Sequence, residues 1–296
     1  MKILFLSIAN RCDYQCDMLM HGLRSNLGPN LIDYPRMDYM YQDYPAISSL
    51  YGKGFTLYGL LPESDIDRSH IAERIKAKEF DLIVYGNIYR SVAFLDLVTS
   101  VYPKERIIFI DGEDSPDFNF ELPRHGLYFK RELAAPHPGI HPIHFAIPVT
   151  KIGTIRPTIK SQVRSAMDPR NPASYIYTDE HSYYQEYSRS LFAFTMKKAG
   201  WDSLRTLEIM ANGCLPLFLD LAECPPLTCI QLPKSELLDV LAHIDKDGSY
   251  WETPDGKNVW QSLWRRVHVR FAAKCTTIQL AQYVMEVQQR EAQIAA

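Results

Sequence analysis

Glycine is scarce in this chain, with 14 residues among 296. A chain so poor in glycine is not expected to bind nucleotides through glycine-rich phosphate loops. A basic excess is also missing: 32 Lys and Arg face 35 Asp and Glu, for a net charge of −3. With no basic block either, nucleic acid is not the expected partner. No apolar run approaches the ~18 residues of a membrane span. The apolar start, Met1 to Asn10, is too short for a signal peptide, lacks a small-residue cleavage site and reads as a buried strand. The six cysteines, at 12, 16, 214, 224, 229 and 275, offer no two pairs at zinc-ligand spacing. They read as reduced thiols, which points to the cytoplasm. His137, His141 and His144 cluster, but Pro136, Pro138, Gly139 and Pro142 prevent a helix that would present two ligands on one face. That segment reads as a turn, and neither a metal nor a resident cofactor is expected.

The rest of the composition is that of a folded chain. A hydrophobic share of 46 % and a charged share of 23 % exclude a wholly disordered or fibrous protein. The length suits two domains. Tyrosine is plentiful, at 18 residues against 13 phenylalanines.

In the first half strands and helices alternate. Strands are expected at 2–8, 80–85 and 106–110, and helices at 13–25, with Asp13 as N-cap, at 69–78 and at 92–101. This order implies a parallel sheet with helices on both faces. Ligands of such sheets bind at the carboxyl ends of the strands. Asn10 and Arg11, Gly86 and Asn87, and Asp111, Glu113 and Asp114 all fall at such ends and suggest one cleft. Asp111 and Asp114 are the candidates for a general base there; a loop bonding its own backbone is the alternative.

Residues 33–60 hold Tyr34, Tyr39, Tyr41, Tyr44, Tyr51 and Tyr58, with Pro35, Pro45 and the turn Gly52-Lys53-Gly54. Two readings stand side by side. The rings either fill grooves of a long packed loop or form an aromatic wall for an amphipathic ligand. On the second reading Tyr51 and Lys53, with Asn10, face an acceptor.

Pro136, Pro138, Pro142, Pro148 and Pro157 make a poor helix and a good hinge, so a domain boundary is expected near 150, giving domains 1–150 and 151–296. The alternation then restarts. Helices are expected at 158–167, 182–190, 203–212, 235–244, 259–273 and 277–292, and strands at 174–177, 191–196 and 215–219.

The run from Phe194 to Phe218 is the most informative. A strand ends at Met196, and Lys197, Lys198 and Gly200 follow at the turn. Asp202 or Ser203 caps the next helix, whose free N–H groups suit a phosphate. Leu204, Leu207 and Ala211 form its buried stripe, while Arg205, Glu208 and Asn212 share another. Gly213 suits a left-handed C-cap. On spacing alone Arg205 and Glu208 also fit an ordinary surface ion pair.

The order of residues from Gly200 to Pro216 resembles the donor-binding segment of glycosyltransferases of the GT-B fold, closest to the exostosin-like and spore-maturation-type branches. The shared pattern is a Gly–aromatic–Asp turn at Gly200-Trp201-Asp202, then Arg205, then Glu208, then Ala211-Asn212-Gly213-Cys214-Leu215-Pro216. The resemblance is concentrated in residues 174–220. It implies an α/β chain of two Rossmann-like domains facing across a cleft, with C-terminal helices packing back toward the N-terminal domain. It implies that Glu208 bonds the ribose hydroxyls, that Arg205 with Lys197 or Lys198 meets the diphosphate without a metal, and that Gly200, Trp201 and Asp202 lie near the donor sugar. Gly153-Thr154-Ile155-Arg156 resembles the family's strand-end glycine and nearby arginine, which adds Arg156 to the donor contacts. Gly200 stands where many retaining members carry a second glutamate, so the stereochemistry is open. Asp65-Ile66-Asp67 has the letters of a metal motif but reads as a cap before a helix.

The expected function is hexosyl or pentosyl transfer from a nucleoside-diphosphate sugar to a hydroxyl of a glycan or other glycoconjugate. The alternatives are a non-catalytic nucleotide- or sugar-binding protein of the same fold, and a glycosyltransferase acting on modified nucleic-acid bases.

Overall fold

The computed structural model describes residues 1–62, 65–153 and 160–295. The chain divides into two compact units. The first comprises 1–145, 225–230 and 277–296, and the second 146–224 and 231–276.

The first unit is built on six parallel strands. In chain order its elements are β1 (Ile3–Leu6), α1 (Tyr14–Leu27), β2 (Leu31–Tyr34), α2 (Ile71–Lys76), β3 (Leu82–Tyr85), α3 (Leu95–Val101), β4 (Ile107–Asp111), β5 (Leu127–Lys130) and β6 (Ile140–Pro142), and the strands lie in the order β2-β1-β3-β4-β5-β6. Every residue of β1, β3 and β4 is buried, as continuous apolar runs require when both faces of a sheet are covered. On one face Leu4, Ile83, Ile107 and Phe109 pack with Ile71 and Ile75 of α2 and Val98 of α3.

Helix α1 packs along the closing helix, Thr277–Ala295. It starts where the sequence indicates, because the Asp13 carboxylate accepts from the Cys16 N–H at 2.9 Å. The two helices meet at Gly22, where a Cβ would stand 1.9 Å from the Thr277 carbonyl oxygen. That oxygen belongs to the backbone and has no rotamer to yield. Gly22→Ala is therefore expected to force the helices apart and lower stability by about 2 kcal/mol, read as the denaturant midpoint. An unchanged midpoint would show that the approach is looser.

Two buried histidines make this unit acid-sensitive. His21 Nδ1 lies 2.9 Å from the Thr277 hydroxyl, and burial lowers its pKa to about 4. His144 donates from Nδ1 to the Phe145 carbonyl at 2.8 Å, and burial likewise lowers its pKa to about 4. The Nε2 of His144 is buried without a partner among the described residues, so a second proton would meet no acceptor. Both folded-state values lie below the ordinary imidazole value of 6.5. The unfolded chain therefore binds protons first, and the stability is complete above that value and lost as pH falls toward 4. Near pH 5 each imidazole is expected to cost about 2 kcal/mol relative to neutrality. Asp17, whose carboxyl burial holds well above the ordinary range, titrates with the opposite sign. Comparing unfolding of the wild type and His144→Gln between pH 7 and 5 cancels that contribution; parallel curves would refute the assignment.

The second unit holds a three-stranded parallel sheet. Its elements are β7 (Gln162–Arg164), α4 (Glu180–Ser188), β8 (Ser190–Thr195), α5 (Leu204–Ala211), β9 (Leu215–Phe218), α6 (Lys234–Leu241), α7 (Gly248–Glu252) and α8 (Pro254–Lys274), with strand order β7-β8-β9. Two expectations are corrected here. In place of the described part of a helix at 158–167, Gln162–Arg164 forms a strand, because its edge pairs with Ser190 and Phe192 of β8. The strand expected at 174–177 is absent. Asn171 caps a tight turn through Pro172–Ser174, and the N–H groups of Tyr175 and Ile176 bond back to the Pro172 and Ser174 carbonyls at 3.2 and 3.1 Å instead of to a neighbouring strand.

Candidate functional site

In the second unit, β8 ends at Thr195 and the chain turns into α5. Ser203 takes the N-cap position, without a side-chain bond to the helix, and Asp202 stands just before it. Gly213 adopts φ +68°, the left-handed cap expected of it. Thr195 and Thr206 share a hydroxyl hydrogen bond of 3.0 Å, which ties the strand end to the first turn of α5.

Glu208 is buried, and its Oε2 accepts from the Tyr183 hydroxyl at 2.6 Å. Tyr183 in turn lies 3.3 Å from the Tyr187 hydroxyl. Burial, and then the charge of Glu208, push both phenols well above their ordinary range, so both keep their protons. Arg205 lies one turn earlier, its guanidinium 4.5 Å from the Tyr175 ring centroid. Its Nε and Nη1 are buried with no hydrogen-bond partner among the described residues, and so is the Tyr175 hydroxyl. Burial raises Tyr175 to about 12, so it too is a donor at neutral pH. The described residues contain no ion pair between Arg205 and Glu208, and Glu208 is not on the surface, so the ordinary surface pair is not what forms. Three buried polar atoms with nothing to bond, two of them on a cation, are costly unless something fills the place.

The neighbouring turn is arranged around Trp201. This ring is buried, and Lys197 lies with its Nζ 4.9 Å from the ring centroid. The Lys197 backbone N–H donates to Asp220 at 3.0 Å, leaving its exposed side chain free to reorient. Lys198 instead donates to the Pro169 carbonyl at 2.9 Å, which favours Lys197 of the two. Gly200 is buried beside Trp201. Arg156 lies outside the described residues. Tyr175 and Tyr183 belong with these residues although sequence reasoning did not single them out. The one available signal is the spacing of Tyr183 and Tyr187, four apart on one helix face.

Glu186 fixes the loop that carries Tyr175. Its Oε1 accepts from the Ala166 N–H at 2.6 Å and from the Ser165 hydroxyl at 3.0 Å, and its Oε2 accepts from the Tyr177 hydroxyl at 2.9 Å.

In the first unit, β1, β3 and β4 are parallel neighbours, so the three polar strand ends do share one edge of the sheet. Asn10 is exposed there with φ +57°. Asn87 donates to the second oxygen of Asp13 at 2.7 Å. Asp111 does not suit the role expected of it. It is fully buried and in register with Lys130, whose Nζ donates at 2.8 Å. Tyr128 donates at 2.6 Å, Tyr89 at 3.3 Å and the Glu113 N–H at 3.1 Å. A carboxylate with four donors and no solvent contact has the surroundings of a structural anchor. Asp114 is half-exposed and paired with the buried Arg131, which also holds Glu132 at 2.7 Å. Of the two, Asp114 alone is open to solvent.

The tyrosine-rich segment divides. Tyr39 and Tyr58 are buried and donate to Asp17 at 2.9 and 3.0 Å. Tyr41 is buried and donates to Asp33 at 2.9 Å, alongside Arg24 at 2.7 Å. These rings pack; they form no wall. Tyr51, 73 % exposed, and Lys53 stay at the surface. Asp67 accepts from both the N–H and the hydroxyl of Ser69, at 2.8 and 2.6 Å, which closes a local turn; the helix cap expected here does not form, because His70 takes the N-cap position of α2 with no side-chain bond to the helix. Among the described residues no group of three His, Cys, Asp or Glu side chains is placed to hold a metal ion, and no helix is long and apolar enough to cross a membrane.

No family model matches the chain, and no curated protein matches it. Two solved structures are similar at 10 % identity. The Anabaena protein HepE in complex with UDP-glucose matches with a TM-score of 0.48, over 98 % of this chain and 99 % of that one. An alpha-glucosyltransferase in complex with UDP-glucose and DNA containing an abasic site matches with a TM-score of 0.44, over 97 % and 99 %.

Proposed function

We propose that this protein is a glycosyltransferase that takes its sugar from a nucleoside-diphosphate donor held on the second unit around α5. The observation that carries the reading is Arg205, a cation with two buried N–H groups that meet no acceptor among the described residues, one helical turn from a buried carboxylate. A diphosphate supplies the missing acceptors, and a ribose supplies hydroxyls that Glu208 can accept. Arg205 and Lys197 stabilise the charge that grows on the leaving diphosphate, the task a divalent ion performs elsewhere. Activity is therefore expected to survive chelation.

In the reaction an acceptor hydroxyl oxygen bonds to the anomeric carbon as the bond to the diphosphate breaks. The hydroxyl proton goes to a base, for which Asp114 is the candidate. Asn10, Tyr51 and Lys53 belong to the acceptor side, and the acceptor is a glycan or glycoconjugate hydroxyl. The sugar is a hexose or pentose, and the compartment is the cytoplasm.

The deciding experiment is a panel of nucleotide sugars, with and without acceptor extracts and EDTA, read by nucleoside diphosphate release. A thermal shift with nucleoside diphosphates that is lost in Arg205→Ala, without any turnover, would leave a binding protein. No binding and no turnover across the panel would sink the proposal.

A further inference from the structure

The second unit contains a cavity that donor binding does not use. Its volume is about 1240 Å³. Leu191 at the beginning of β8, Gly213 just ahead of β9 and Gln162 at the beginning of β7 line it, so it lies at the amino edge of the sheet. Arg205 belongs to the opposite, carboxyl edge.

Helix α8 forms its long wall. The ridge of α8 that faces the core is Leu263, Val267 and Phe271, all buried. One ridge round stand Trp260, Trp264 and His268, four residues apart, and beside them the exposed Lys257, Gln261 and Arg265. The rings follow one another in near-parallel steps. Trp260 and Trp264 lie 6.3 Å apart at 23°, and Trp264 and His268 4.7 Å apart at 12°. Trp260 is anchored by its indole N–H, which donates to the Leu191 carbonyl at 3.1 Å. Lys160 reaches in from the other wall, 5.3 Å from the Trp260 ring, with its Nζ donating to the Ser188 and Gly213 carbonyls at 2.7 Å each. His268 Nδ1 is buried without a hydrogen-bond partner among the described residues. The core of the unit does not need this aromatic series, since the neighbouring ridge already supplies it.

Cations dominate the lining: Lys160, Lys257 and Arg265 against Glu252. Aromatic rings next to cations select a ligand with apolar ring faces and negative charge. Side chains four apart advance about 6 Å along a helix. Stacked nucleotides advance about 3.4 Å, so the series is out of step with a base stack and suits separate rings joined in a chain. The net charge of −3 also supplies no wider basic surface for a nucleic acid. We propose that this cavity binds an acidic oligosaccharide laid along the Trp260–Trp264–His268 series, with its carboxylate or sulfate groups on Lys257 and Arg265. The site is distinct from the donor site and does not depend on the glycosyltransferase reading.

The test is a calorimetric titration of the whole chain, with no nucleotide sugar present. The probes are a hexuronate hexasaccharide, a sulfated hexasaccharide, a neutral hexasaccharide and a single-stranded oligonucleotide of similar length. At least one acidic saccharide is expected to bind at least about tenfold more tightly than the neutral one, with affinity falling as salt is raised. Trp264→Ala, and separately Lys257→Glu with Arg265→Glu, are each expected to weaken binding at least about tenfold. The charge reversals are on exposed positions, so they keep the proposal testable if Trp264→Ala unfolds. Failure of both acidic saccharides, equal binding of the neutral one, tighter binding of the oligonucleotide, or full affinity in the folded charge-reversal variant would each overturn it.

Discussion

Glu208→Ala is expected to lower kcat/KM for the nucleotide sugar by a hundredfold or more while the protein stays folded. The magnitude follows from what the proposed function asks of the carboxylate. Hydrogen bonds to a charged group contribute about 1.5–3 kcal/mol each, and a ribose offers two hydroxyls, so losing both reaches about 3 kcal/mol or more. The site also limits the cost to the fold. When Glu208 is removed, the Tyr183 hydroxyl loses its 2.6 Å acceptor but still has the Tyr187 hydroxyl at 3.3 Å. Tyr183→Phe, which keeps the carboxylate, is expected to cost about tenfold, because it removes one orienting bond only. Arg205→Lys is expected to behave more like Arg205→Ala than like the wild type, since an ammonium lacks the planar fork that meets a diphosphate. Measured donor affinities rank these variants. A folded Glu208→Ala protein that binds nucleoside diphosphate as the wild type does would remove Glu208 from the site.

How much of this arrangement the sequence discloses depends on distance along the chain. Arg205 and Glu208 are legible because the order of residues from Gly200 to Pro216, which needs no tertiary information, singles them out where their spacing alone fits a surface pair, and the flanking Gly200 and Gly213 mark the turn and the cap. β8, α5 and β9 are legible for the same reason. Tyr175 is not: it stands in an irregular loop held by Glu186, and its place beside Arg205 depends on contacts across 30 residues. β7 is hidden because Gln162–Arg164 is only three residues long and its pairing with β8 decides its conformation. In the first unit the continuously apolar strands β1, β3 and β4 announce themselves. β5 and β6 do not: β5 ends its apolar residues in Lys130, and β6 has only three residues and ends on Pro142 at the sheet edge. The tyrosine count is equally ambiguous in sequence. A ring that packs, such as Tyr58, and one that stays exposed, such as Tyr51, carry the same letter, and only the position of Asp17 separates them.

The same limitation governs Asp111, and it leads to the second large effect. At the end of β4 the residue has the sequence position of a catalytic carboxylate, but β5 lies alongside and brings Lys130 into register with it. Both side chains are fully buried, with N and O 2.8 Å apart. Asp111→Asn leaves the Lys130 ammonium without its counter-charge, and breaking a buried pair in this way typically costs about 3–5 kcal/mol. The expected result is a large drop in the unfolding midpoint, with any loss of activity following from unfolding. Lys130→Met should be similarly harmful alone, since it strands the carboxylate. The pair Asp111→Asn with Lys130→Met should recover much of the stability, because neither charge is then left buried and unpaired, and Tyr128 still has an acceptor in the amide oxygen. Asp114→Asn is expected to show the opposite pattern, near-normal stability with reduced turnover, since its side chain is half-exposed and its bond to Arg131 is shared with Glu132. If Asp111→Asn instead melts like the wild type and fails only in turnover, the carboxylate is chemical after all, and the base belongs to Asp111 rather than to Asp114.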